Sequence, residues 1–185
     1  MQDYGDDPVV IDATRPLCLA GANVAFRKQI FHQIGLFSVD FPKAQDTELL
    51  LRLYRAGHRA LYVPEMLVLA PVEPDRLTKA YHRRWHSNIG RCNARMRFEE
   101  LADPVCGLRA RVPNVRRLGG VPVFALRQLP ARSAQWMLTT ALGRKADAFL
   151  HETRARALVS HMKEARALAA RGATTGPIAA PRSSP

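Results

Sequence analysis

The sequence predicts an α/β fold for the first half of the chain, followed by a mainly helical second half. Residues 44–69 carry the signals of a helix, a helix stop and a strand in unbroken succession, as is typical of an α/β unit. Residues 123–171 instead contain two helical apolar patterns separated near Gly143. The chain therefore divides into an acidic N-terminal loop (1–16), an α/β half-domain (17–98), an irregular linker (99–122), a helical extension (123–171) and a disordered tail (172–185).

The helix of the first unit is predicted to begin with negative charge. Asp46 and Glu48 fall in its first turn, where unpaired N–H groups and the helix dipole favour carboxylates. Arg52 lies off the apolar stripe that follows. That stripe consists of Leu49, Leu50, Leu53 and Tyr54. Gly57 is placed to end the helix in the left-handed conformation, and residues 60–63 then form a short strand.

The residues before this unit predict a strand and a short helix. Residues 17–26 are typical of a strand interrupted by Gly21, which lets backbone or a ligand approach closely. A short helix follows over residues 28–34 and ends at Gly35. An open backbone position therefore precedes the helix that carries Asp46.

A strongly basic helix is predicted over residues 76–97, with Asp75 as its cap. Its apolar seam, at every fourth residue, consists of Leu77, Tyr81, Trp85 and Ile89. The helix contains seven Arg or Lys and no Asp or Glu. Because a solvated helix face normally carries both signs, the pattern favours contact with diphosphate groups or anionic lipid over plain solvation.

The composition limits the classes of function. A net charge of +12, carried mostly by arginine, indicates an anionic partner. Cys18, Cys92 and Cys106 share no close spacing, which argues against a zinc knuckle and a disulfide framework. No apolar run approaches the ~20 residues of a membrane-spanning helix, and the acidic N-terminus lacks a signal-peptide core. We therefore expect a cytoplasmic protein, either soluble or peripheral at the inner face of the membrane.

A series of short segments resembles the acceptor-side half of family 2 glycosyltransferases over about residues 20–91. In chain order these segments are 21–28, 34–37, 46–49, 52–53, 56–57, 62–65, 71–72, 76–78, 81–85 and 90–91. The resemblance implies the C-terminal half of a GT-A nucleotide-sugar transferase domain. It also implies an inverting transfer of a sugar to a hydroxyl acceptor.

The resemblance assigns Asp46 as the candidate general base that takes the proton of the acceptor hydroxyl. It also implies acceptor or phosphate contacts by Gly21, Asn23, Glu48, Arg76, Arg83 and Arg84. Two positions depart from the family pattern, with Gln45 where Glu is usual and Ala70 where many members place His.

The donor-binding half of the family, with its Asp-x-Asp metal site, is missing from this sequence. The chain is therefore expected to be truncated or one half of a split enzyme, and inactive alone. A separate nucleotide-sugar-binding half is its expected partner. We expect no cofactor in this chain and Mg²⁺ or Mn²⁺ only when that half is supplied.

Alternative interpretations remain open for these features. Asp46 is also explained as a first-turn acid that stabilises its helix by ~1 kcal/mol. His82 and His86 have the i, i+4 spacing of a metal pair but lack a third ligand. Residues 123–171 fit either packed helices or an amphipathic membrane-surface segment. For the whole chain, the alternative function is a basic module that binds an anionic membrane surface or, less favoured because no known motif supports it, nucleic acid.

Overall fold

A computed structural model of the chain describes residues 5–12, 21–41, 43–97, 102–103, 107–108 and 115–172. These residues are mostly helical and divide into two compact units. The first unit contains the described residues up to Pro71 and those from Met96 to 108. The second contains Val72–Arg95 and the described residues from 115 onwards.

The first unit combines two short strands with two helices. Strand β1 (Val9–Ile11) pairs antiparallel with β2 (Ala60–Tyr62). Helices α1 (Lys28–Ile34) and α2 (Gln45–Arg55) lie between these strands in the chain. Strand β1 lies in the segment predicted as a loop, because three consecutive β-branched residues favour extended backbone there.

Both helices of the first unit confirm their predictions. Helix α1 ends at Gly35, where φ is 79°, and Gly57 after α2 has a φ of 80°. Asp46 and Glu48 lie in the first turn of α2, as expected. The buried surface of α2 is wider than the predicted stripe, because Arg52 is buried as well.

The core of the first unit is organised around α2. Four of the six residues in its buried cluster belong to this helix. The full cluster is Ile11, Ile34, Leu49, Leu50, Leu53 and Tyr54. Phe26 and Phe31 pack against it with their ring centroids 5.6 Å apart. The apolar side chains of this unit are therefore buried mainly between helices.

The prediction of an α/β, GT-A-like half-domain is wrong. Residues 21–27 form a turn and an irregular segment, and residues 17–20 of the predicted strand lie outside the described residues. In the described chain, no third strand joins the pair β1–β2, and the strands are three residues long. Because each strand needs hydrogen-bonded neighbours, short strands without them build no layered sheet.

Helix α3 (Lys79–Met96) begins the helical part of the second unit, after a 3₁₀ turn at Pro74–Leu77. The Oγ1 atom of Thr78 accepts a hydrogen bond from the N–H of Tyr81 at 3.2 Å and so caps the helix. The predicted start at residue 76 with Asp75 as the cap is therefore wrong. Half of the predicted apolar seam faces solvent, since Leu77 and Trp85 are exposed. Tyr81 and Ile89 are half-buried.

Short antiparallel strand pairs occur within the predicted linker. Strand β3 (Ala102–Asp103) pairs with β4 (Gly107–Leu108), and β5 (Arg117–Leu118) pairs with β6 (Val121–Pro122). The linker residues 99–101, 104–106 and 109–114 lie outside the described part of the chain, as does the predicted tail from residue 173.

Helices α4 (Val123–Ala141) and α5 (Lys145–Ala170) form an antiparallel hairpin. The turn between them contains Gly143, whose φ is 68°, which confirms the predicted break. Val121, Ala125 and Leu158 form the buried cluster between this hairpin and β6.

Helix α3 runs parallel to α5 within the second unit. Arg83 pairs with Glu152, and Arg95 pairs with Glu164, so both helices advance together. Between these pairs, a Cβ atom at Gly90 would overlap the carbonyl group of Ala157. The two backbones therefore touch at this point. None of the helices in the described segments combines the length and apolar composition that crossing a bilayer requires.

Candidate functional site

Asp46 is held at the start of α2 by two backbone hydrogen bonds. Its Oδ2 atom accepts the N–H of Gly21 at 2.9 Å, and its Oδ1 atom accepts the N–H of Thr47 at 2.7 Å. Ala44, before the helix, supplies no side-chain cap, so Asp46 provides the negative charge at this helix end. Because hydrogen bonds to a carboxylate are charge-assisted, the direction of this side chain is fixed.

Gly21 makes this arrangement possible. A Cβ atom at this position would lie 2.8 Å from Oδ2 and 2.9 Å from Cβ of Asp46, closer than real carbon contacts. A group does approach Gly21 closely, but it is the side-chain carboxylate of Asp46 and not the predicted backbone or ligand.

A cleft of about 1020 Å³ is lined in part by Ala22, the residue after Gly21. Its wall includes Leu50, which lies one turn beyond Asp46 on α2. Asn23 also lines the cleft, and its Nδ2 atom donates a hydrogen bond to the carbonyl oxygen of Met66. Residues 21–23 therefore connect the two features, because Gly21 bonds to Asp46 while Ala22 and Asn23 line the cleft.

The wall of the cleft combines apolar and basic side chains with one acid, Asp6. The apolar part includes Phe26, Ile30, Leu50 and Leu53, and the basic part consists of Arg27, His58 and Arg59. A molecule with an apolar body and hydroxyl or anionic groups fits such a surface. Sequence reasoning missed these basic residues. Their positions in the chain could have indicated them, because Arg27 lies within the segment 21–28 and His58 directly follows Gly57.

Glu48 is placed inside the first unit. Its side chain is 1 % exposed and forms an ion pair with Arg52 at 2.7 Å. Arg52 also donates hydrogen bonds to the backbone carbonyls of Ile34 and Leu36. This pair ties α2 to the end of α1, so the structure gives Glu48 a role in holding the fold together.

The three arginines assigned to acceptor or phosphate contacts lie in the second unit. Arg76 is exposed and pairs with Glu73 at 3.1 Å, and Arg84 is exposed on α3. Arg83 donates two hydrogen bonds to the carboxylate of Glu152, at 2.7 and 2.9 Å. The structure therefore brings Gly21 and Asp46 together within the first unit and places these arginines in the other one.

The acids that pair with the basic residues of α3 lie on α5. Glu152 and Glu164 of α5 face Arg83 and Arg95 of α3. The hydrogen bond from Arg83 is the main cause that lowers the pKa of Glu152, and the same bond raises the pKa of Arg83. Part of the basic face is thus neutralised within the second unit, which single-helix reasoning does not reveal.

No group of three or more potential metal ligands is found among the residues that the structure describes. His82 and His86 are neighbours on α3, where His86 Nδ1 lies 2.8 Å from the carbonyl oxygen of His82. Cys92 is buried on the same helix, and burial raises the pKa of its thiol. Cys18 and Cys106 lie outside the described residues.

No protein-family model matches the chain, and neither a curated protein nor a solved structure shows significant similarity to it. The interpretation of the site therefore depends on its geometry and on the resemblance of its segments.

Proposed function

We propose that this chain carries the acceptor side of a sugar transferase that uses a nucleotide-sugar donor, with Asp46 as the general base. The hydrogen bond between Asp46 and Gly21 supports this, because it joins two of the segments that resemble family 2 glycosyltransferases. The bond from Asn23 to Met66 connects the first of them to the residue that directly follows a third, residues 62–65. The proposal concerns the site and not the fold, which is mostly helical.

The geometry of Asp46 suits proton abstraction. An acceptor hydroxyl is a weak nucleophile and loses its proton as it attacks the anomeric carbon of the donor sugar. Asp46 is half-buried, and Gly21 and Thr47 hold its carboxylate in one direction. Asp46 does not itself line the cleft, but Ala22, next to its partner Gly21, and Leu50, one turn beyond it on α2, do.

The remaining roles follow from which side chains line the cleft. Asn23 and the basic residues Arg27 and Arg59 are available for hydroxyl or anionic groups of the acceptor. We assign Arg83 no acceptor contact, because Glu152 engages its guanidinium group. Since no group of three or more potential metal ligands lies together among the described residues, we assign the divalent metal to the separate donor-binding half.

Saturation-transfer NMR with a panel of mono- and disaccharides tests acceptor binding by the intact chain. We expect a saturation-transfer signal for at least one sugar. Asp46→Asn should bind that sugar roughly tenfold more weakly, because the variant loses the carboxylate that accepts a hydrogen bond from it. Asp40→Asn is the matched control, since Asp40 is an exposed carboxylate and Gly21 bonds to Asp46 instead. If no sugar in the panel shows a saturation-transfer signal, the proposal is contradicted.

Release of nucleoside diphosphate from nucleotide sugars tests the second part of the proposal. We expect no release by this chain alone above the level without protein, because the proposal places donor binding in a separate half. If the wild-type chain released nucleoside diphosphate and Asp46→Asn did not, donor binding would not lie in a separate half. Asp46 would then be the base of a complete enzyme.

A further inference from the structure

The end of the α4–α5 hairpin exposes an unusual number of apolar side chains. We call residues 136–150 the hairpin tip. The large apolar residues exposed there are Trp136 (38 %), Met137 (65 %), Leu138 (60 %), Leu142 (62 %) and Leu150 (44 %). Isolated exposed apolar residues are normal on a protein surface, but a group this dense marks an interaction site.

Three polar side chains of the hairpin tip bond to groups in the tip or directly beside it. The hydroxyl groups of Thr139 and Thr140 donate to the helix carbonyls of Gln135 and Trp136, each at 2.7 Å. Asp147, the one acid between residues 123 and 151, accepts a hydrogen bond from Arg144 at 2.8 Å. Transfer of the tip out of water therefore leaves few polar groups without partners.

Basic residues surround the apolar side chains. Arg132 precedes Trp136 by one helical turn, Lys145 lies in the tip itself, and Arg154 follows Leu150 by one turn. One turn is about 5.4 Å, which a long basic side chain spans easily. Cations at this distance from an apolar tip complement anionic headgroups around inserted side chains.

The arrangement of the apolar residues distinguishes a membrane from a protein groove. Trp136, Met137 and Leu138 are consecutive, so they point about 100° apart around α4 and do not form one flat face. A protein groove covers one face of a helix, whereas lipid surrounds the whole end of a hairpin. Tryptophan also favours the membrane interface because its ring is apolar and its N–H is polar.

We propose that the hairpin tip inserts into the interfacial layer of an anionic membrane, with Arg132 and Arg154, which flank the tip, at the headgroups. This inference does not depend on the proposed transferase function. It gives the net charge of +12 a specific anionic partner at a defined place in the second unit.

Vesicle flotation of the full chain tests the inference. The vesicles contain either phosphatidylcholine alone or an equal mixture with phosphatidylglycerol. We expect binding to be at least about tenfold stronger to the mixture, and to weaken with salt. The variant Met137→Glu/Leu142→Glu should lose at least about tenfold in binding, because charged groups then enter the apolar layer.

The matched control is Leu77→Glu/Leu118→Glu, which avoids the exposed apolar stretch at residues 66–72. It makes the same change in charge at exposed positions outside the tip and should bind within about twofold of the wild-type chain. Circular dichroism establishes that both variants fold. Equal binding by the tip variant and the control would overturn the proposal, as would a change in oligomeric state without vesicle binding.

Fluorescence gives a local readout of the same event. In a Trp85→Phe background, Trp136 is the one tryptophan in the chain. We expect its emission to shift to shorter wavelength when anionic vesicles are added, because the indole moves into a less polar layer. An unchanged spectrum while the protein floats with vesicles would place the membrane contact elsewhere and refute insertion of the tip.

Discussion

Substitution of Gly21 tests the candidate site most directly. The methyl group of Gly21→Ala would collide with the carboxylate and Cβ of Asp46, so one of the two segments must move. We expect the free energy of unfolding to fall by about 1–3 kcal/mol, the usual cost of overpacking, as measured by urea denaturation. Sugar binding should weaken in the same variant, because the hydrogen bond that orients Asp46 is disturbed.

A double-mutant cycle assigns this cost to the contact itself. Asp46→Gly removes the atoms that the new methyl group meets. In that background, Gly21→Ala should cost much less than in the wild-type chain, and the difference is the coupling energy. A coupling energy of zero would mean that position 21 tolerates a side chain and that the contact does not fix Asp46.

His161 makes stability sensitive to mild acid. Burial on α5, with a smaller contribution from Arg117, lowers the pKa of its imidazole from 6.5 to about 4. Between these two pH values, the unfolded chain binds a proton that the folded chain does not, so stability falls as the pH falls. We expect a loss on the order of 3 kcal/mol across this window, measured by urea unfolding at a series of pH values.

The variant His161→Gln is the control for this pH dependence. It cannot be protonated, so the slope of stability between about pH 6.5 and 4.5 should largely disappear. Glu152 acts in a lower range, because the hydrogen bond from Arg83 lowers its pKa and this stabilisation is lost as the carboxylate is protonated. A slope that persists in His161→Gln would identify another group as the cause.

The close contact between α3 and α5 at Gly90 reverses the effect on stability that helix propensity alone predicts for Gly90→Ala. Alanine in place of glycine inside a helix normally stabilises a protein by about 1 kcal/mol. At Gly90, however, the added Cβ would overlap the carbonyl group of Ala157 and force the two helices apart. We expect the packing cost of about 1–3 kcal/mol to win, so Gly90→Ala should lower the urea midpoint.

A neighbouring exposed position provides the comparison for Gly90. Arg91→Ala changes an exposed residue of the same helix and should shift stability by no more than about 0.5 kcal/mol. If Gly90→Ala proved as stable as the wild-type chain or more so, α3 and α5 would not touch at that residue.

The sequence predicted local features of the fold better than long-range ones. The ends of α1 and α2 were readable because Gly35 and Gly57 act through their own φ angles. The strand pairing was not, because β1 and β2 are far apart in the chain and β1 lies in an apparently polar segment. The predicted α/β sheet was wrong because long-range strand pairing was not predictable. Among the described residues, the three-residue strands β1 and β2 pair with each other and with no further strand.

The same distinction applies to the candidate site. The position of Asp46 at a helix start depends on its neighbours in sequence, so it was predictable. The i, i+4 spacing of Glu48 and Arg52 was also visible, but their burial depends on how α1 packs on α2. The partner of Arg83 lies on another helix, so its neutralisation followed only from the arrangement of the second unit.

The net charge of +12 predicts salt-controlled binding to polyanions without sequence preference. We expect filter binding of DNA and RNA to weaken at least about a hundredfold between roughly 50 and 200 mM salt. Arg84→Gln and Arg154→Gln each remove one exposed cation, on different helices, and should have small and similar effects. Tight binding at the higher salt, or a larger effect of Arg84→Gln, would instead support a nucleic-acid-binding module.

The parallel course of α3 and α5 requires equal spacing of the ion-pair partners on both helices. Arg83 and Arg95 are twelve residues apart on α3, and Glu152 and Glu164 are twelve residues apart on α5. Twelve residues of helix rise by about 18 Å, so the two pairs fit the same pair of helices. One residue inserted into α5 between Glu152 and Glu164 would rotate one carboxylate by about 100° relative to the other, so that both pairs could not form together. The two ion pairs therefore constrain the length of α5 jointly, which neither pair does alone.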